Sequence, residues 1–149
     1  MRKFIVEKFR RVSFLEVCIY STIYLLTGTI MNFIGIHFEI VRFEYWWQII
    51  TCYALYMVPV SILIKEYSFF NQYCYGLLAI GILELVGYTF QTSYVYPNNI
   101  LSQIFTPYNL TLAMTLFFAI YFPLGNMFVE FISEKYFHKK SSFNNEEAF

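Results

Sequence analysis

Gly76-Leu77-Leu78-Ala79-Ile80-Gly81-Ile82-Leu83-Glu84-Leu85-Val86-Gly87-Tyr88 decides how this chain is read. Twelve of these thirteen residues are apolar, small or aromatic, and the thirteenth is a carboxylic acid. A run of this kind predicts a membrane-crossing helix. An ionised carboxylate near a bilayer centre costs about 2.5–3.5 kcal/mol on insertion scales, so Glu84 has either a partner or a task.

Outward from this stretch the same chemistry recurs. The chain has 149 residues, 58% apolar and 13% charged. Its mean hydropathy is +0.52. A soluble domain carries about 25% charged residues, so the solvent implied here is lipid. A hydrocarbon core about 30 Å thick needs roughly 20 apolar residues per helix. Four runs meet that requirement, at about 14–38, 45–64, 71–91 and 107–132. The fold class expected is therefore all-α: a polytopic membrane protein with a four-helix transmembrane bundle over 13–132. Residues 1–12 form a basic amphipathic lead-in, and 133–149 a polar tail. The first run is too long for a cleaved signal peptide and has no small-x-small site after it, so it is read as an uncleaved span.

Charge placement orients the bundle. Arg2, Lys3, Lys8, Arg10 and Arg11 precede the first run, Lys65 follows the second, and Lys135, Lys139 and Lys140 follow the last. Arg42 alone lies on the other side. The positive-inside rule then places both termini in the cytoplasm, the N-in/C-in arrangement, and a bacterial cytoplasmic (inner) membrane is the expected location. Basic ends explained by topology leave no reason to invoke nucleic acid.

Polar groups within the runs are the candidate machinery. Glu84 heads a ligand- or ion-binding set with Thr27, Asn32, Thr51 and Thr115, all placed at or outward of the span midpoints. The outer half is expected to be hydroxyl- and amide-rich, and the inner half aliphatic and aromatic. Gly28, Gly76 and Gly87 are read as close-packing positions. Pro59 and Pro123 should kink their helices and free the carbonyls near Leu55 and Ala119. Asn126, just after Pro123, is assigned to packing or a hinge, satisfying backbone that the proline frees. Buried Tyr20, Tyr24, Tyr53, Tyr56 and Tyr88 each need a hydroxyl partner. Trp46, Trp47, Tyr94, Tyr96 and Tyr108 fit an interfacial aromatic belt. No internal repeat is evident.

Chemistry-bearing motifs are few. Cys18, Cys52 and Cys74 have no CxxC spacing, and His37 and His138 fall on opposite sides, so neither a metal site nor a cofactor is expected. There is no paired acid with a nucleophile and no phosphate-binding glycine loop. Gly28-Thr29-Ile30-Met31-Asn32 with Thr89-Phe90-Gln91-Thr92 resembles motifs of small fluoride channels over nine residues. The spacing and flanks depart from that pattern, and no family is assigned from it. The expectation is a small non-enzymatic membrane protein, a homo-oligomeric or accessory subunit of a membrane complex. Its partners would be the bilayer and either itself or another membrane protein. The alternatives are a proton- or cation-coupled transporter or channel centred on Glu84, and a lipid- or isoprenoid-modifying enzyme.

Overall fold

The computed structural model describes residues 2–101 and 104–135, with the side chains of 2–5, 107 and 108 left aside. The expected tail therefore lies, from residue 136 onward, outside the described residues. A short helix α1 (Arg2–Arg10) leads into α2 (Phe14–His37). Ser13 starts α2 because its hydroxyl accepts the Glu16 amide at 3.1 Å, satisfying a donor that has no partner within the helix. After α2 come strand β1 (Val41–Phe43) and a continuous helical stretch made of α3 (Trp47–Ile49), a π-helix over Ile50–Met57 and α4 (Val58–Ile64). Then follow α5 (Phe69–Phe90), strand β2 (Ser93–Val95), α6 (Pro107–Ala119) and α7 (Tyr121–Ser133). Four helices are long and apolar enough to cross a membrane: Phe14–His37, Trp47–Ile64, Phe69–Phe90 and Asn109–Ser133. They fall on the four predicted runs to within a few residues.

One feature departs from an all-α reading. Strands β1 and β2 pair antiparallel, with Val41 opposite Val95, Arg42 opposite Tyr94 and Phe43 opposite Ser93. Both prolines act on their helices. Pro59 has no N–H to give, and the winding changes from π to α immediately before it, at Met57–Val58. Pro123 removes the donor that would meet the Ala119 carbonyl, and the fourth long helix is interrupted at Ile120.

The sequence shows no evident repeat, yet the helix ends of the two halves match in the backbone. Helix α2 ends with Glu39 in the left-handed region at φ 49°, and α5 ends with Gln91 there at φ 51°. The Ile40 amide donates back to the Gly35 carbonyl at 2.9 Å, and the Thr92 amide to the Gly87 carbonyl at 3.1 Å. Both are the six-to-one bond of a Schellman cap. Each cap then feeds a three-residue strand, and the two strands pair with each other. One offset of 52 positions relates Gly35 to Gly87, Phe38 to Phe90, Glu39 to Gln91 and Arg42 to Tyr94. In each half, the returning helix is disturbed within the three residues before a proline. The molecule is thus two helix–strand–helix units of the same order, joined through a two-stranded sheet. The sheet's central pair, Arg42 and Tyr94, is formed by two residues that the offset relates, with the guanidinium 5.0 Å from the Tyr94 ring centre.

Packing concentrates in the half of the bundle nearer α1, here called the inner half. Tyr20, Tyr24, Met57, Val58, Ile62, Ile80, Phe122 and Val129 form the buried core. Glycines set the approach of the helices there. A Cβ on Gly76 would stand 2.6 Å from the Phe122 ring and 2.8 Å from the Ala119 carbonyl oxygen. A Cβ on Gly125 would meet Tyr24, and one on Gly28 the Tyr53 ring at 2.5 Å. Gly87 behaves differently: its nearest neighbour is Thr92 beyond its own helix end, so it serves the cap and not an interhelix contact.

Candidate functional site

A fully bonded polar network occupies the inner half, where aliphatic and aromatic packing was expected. Asn126 on α7 is its centre. Its Oδ1 accepts from the Tyr20 hydroxyl at 2.9 Å, and its Nδ2 donates to Gln72 Oε1 at 2.8 Å and to the Ser61 carbonyl at 3.4 Å. Gln72 in turn donates to the carbonyls of Lys65 and Tyr67, at 3.1 and 2.7 Å. Tyr24 shares a 2.5 Å hydrogen bond with Ser61 Oγ and donates to the Tyr121 carbonyl at 3.1 Å. All four long helices meet in this network. Asn126 therefore does not repair the backbone freed by Pro123, as its place in the sequence implied; it ties three neighbouring helices together. Low local dielectric makes such bonds strong and makes any orphaned member expensive, and among the described residues no buried side-chain nitrogen or oxygen lacks a partner.

Beneath the network, charges close the inner end. Lys65 donates to Glu16 at 2.7 Å, Lys8 pairs with Glu66, and Arg11 pairs with Glu7 at 2.9 Å. The hydrogen bond from Lys8, with the charges of Lys8, Arg11 and Lys65, holds the Glu66 carboxyl below its ordinary range. The Lys65–Glu16 and Lys8–Glu66 pairs fasten the start of α2 and α1 to the turn between α4 and α5.

Glu84 sits about 18 Å further along α5 than Gln72, at 1.5 Å per residue. It is part-buried, and among the described residues it makes neither a hydrogen bond nor an ion pair. It lies within electrostatic reach of Cys52 and Tyr53 on the π-helix. Gly81, one turn inward, faces Thr115 of α6, with a 3.7 Å approach for an added Cβ. The nearest hydrogen bond between the π-helix and α5 is from Tyr56 to the Ala79 carbonyl at 2.7 Å, more than a turn further inward.

The hydroxyls grouped with Glu84 are otherwise employed. Thr27 bonds to the carbonyls of Ile23 and Tyr24, Thr51 to that of Gln48, and Thr115 to that of Thr111, each within its own helix. Asn32 accepts the Phe43 amide at 3.2 Å and anchors strand β1 to α2. This last contact is instructive, because the 52-residue offset relates Asn32 to Glu84. One half uses the position to hold its own strand; the other leaves a carboxyl there unbonded.

The described cysteines, Cys18, Cys52 and Cys74, are free. Among the described residues, no group of three His, Cys, Asp or Glu side chains is placed to hold a metal ion. Gln72 was the functional-looking residue that the sequence reading passed over. Its signal was present: an amide three residues into an apolar run, at the same offset from Tyr20 that relates the two caps. Set against protein-family models, curated proteins and solved structures, the chain matches none.

Proposed function

We propose that this protein is a non-catalytic integral membrane subunit that works by association in the plane of the bilayer, with both termini in the cytoplasm of a bacterial cell. The observation that carries the reading is the contrast along α5. Its buried residues, Gln72, Gly76 and Ile80, follow one another at helical spacing and stop at Ile80, and no residue of its outer half is buried. Glu84 stands in that uncovered half without a bond. Elsewhere among the described residues the buried side-chain polar atoms are bonded, so an unbonded intramembrane carboxyl marks a surface completed by something else. Leu78, Ile82, Leu85 and Val86 are exposed around it, which suits lipid or another helix. The charge bias across the described loops supports the orientation.

Native mass spectrometry of the full chain, extracted gently from its own membrane, tests this. The expected result is a defined assembly containing more than one polypeptide. A single chain alone, stable and unaccompanied under conditions that preserve known complexes, contradicts it. A second reading, a transporter that binds a proton or small cation at Glu84, draws on the π-helix beside that residue, since such segments recur at functional sites. Loss of uptake in Glu84→Gln at unchanged expression would favour the transporter.

A further inference from the structure

We infer that Glu84 receives a Lys or Arg side chain from a membrane helix of a different protein, docked at the outer half of α5 beside the π-helix; this rests on the subunit reading above. The choice of occupant follows from charge and from what the site lacks. A carboxylate in lipid either takes up a proton or is matched by a cation brought to its depth. This chain has ten basic residues, and they lie before α2, in the turn around Lys65, in the tail, or at Arg42 in the outer strand. A second copy would therefore offer no base at the depth of Glu84, only another Glu84.

A bound metal ion fits less well. Hard cations take six or more oxygen ligands, or several waters held by two carboxylates. Here, among the described residues, no group of three His, Cys, Asp or Glu side chains is placed to hold an ion. A basic side chain needs only the one carboxylate. A long Lys or Arg can also reach into a part-buried position from an apolar helix lying outside it.

The internal repeat supplies a control. At the matching position, Asn32 bonds to the strand of its own half and has no net charge to match. Glu84 occupies the same place in the second half, makes no such bond, and adds a charge. The exposed apolar residues Leu78, Ile82 and Leu85 give a neighbouring helix something to lie against.

The test is photo-crosslinking of the full chain in its own membrane, with a photo-reactive phenylalanine analogue in place of Leu85. The crosslinked peptide is identified by mass spectrometry and followed by charge exchange. The expected result is a peptide from an apolar helix of another protein that contains Lys or Arg. Glu84→Gln should lower crosslink yield at least tenfold with no loss of Tm. Pairing Glu84→Lys with a Glu at the partner's basic position should restore the yield. If Glu84→Lys does not accumulate, the near-isosteric Glu84→Gln decides alone. Crosslinks only to a second copy, or full yield in Glu84→Gln, overturn the inference and leave the subunit reading standing. Absence of any crosslink, with a lone chain by native mass spectrometry, overturns both. Cation uptake abolished by Glu84→Gln without a crosslinked partner overturns the inference in favour of a small ion.

Discussion

Glu84 and the two cap residues, Glu39 and Gln91, are where this chain is least comfortable by itself. An unbonded carboxyl in lipid destabilises the isolated protein, so Glu84→Gln or Glu84→Leu should stabilise the purified chain by about 1–3 kcal/mol, read as a higher Tm or slower unfolding in bicelles. The same substitutions should weaken assembly, and that opposition separates a docking residue from a packing one. Glu39 and Gln91 hold left-handed backbone angles at which a Cβ costs roughly 1 kcal/mol. Glycine at either position should raise stability by up to that amount, with additive effects at these two well-separated sites. Glu66 yields a pH dependence. Its carboxyl is held low by Lys8, so its contribution is complete above the ordinary carboxylate value and is lost as pH falls through the lowered one. Protection of α1 amides from hydrogen exchange should therefore decline on acidification in the native chain, and Glu66→Gln should remove that part of the decline.

The long helices were legible because length and apolar composition suffice to define them, and the prolines because a missing N–H disturbs a helix wherever it falls. What joins the helices was much less legible. Asn126 looked like a local repair for Pro123 because both lie on one turn, whereas its partners Tyr20, Gln72 and Ser61 come from the other three long helices. Sequence spacing says which residues share a face, not which face of another helix arrives opposite. Replacing Asn126 with Ala leaves the Tyr20 hydroxyl, the Gln72 amide and the Ser61 carbonyl short of partners together, and should cost about 1–3 kcal/mol. Gly76→Val is the steric counterpart. Its added methyls would meet the Phe122 ring and, less forgivingly, the Ala119 backbone oxygen. The loss expected is of similar size, with α5 and α6 prised apart, measurable as faster exchange of α6 amides. Thr27, Thr51 and Thr115 each donate back to a carbonyl of their own helix, a choice that depth along a span does not reveal.

The repeat escaped sequence reading because it is written in backbone and not in residue identity. At the offset of 52, Leu25 and Leu77, Leu26 and Leu78, Ile30 and Ile82, Gly35 and Gly87, and Phe38 and Phe90 are among the few matching letters. The left-handed caps and the strand pair carry the rest. The sheet also sets an order of events. Its strands are separated by the whole of the second and third long helices, so β1 has no partner until α5 is in place. Newly made, the first half must wait with an open strand edge and an unfilled Asn126 site, a state inviting to quality-control proteases. The second half arrives carrying both β2 and Asn126, and one docking step closes the outer and inner ends together. Two fragments cut between residues 66 and 69 and made in one cell should accordingly find each other and survive, whereas either alone should be cleared within minutes of synthesis in a pulse-chase.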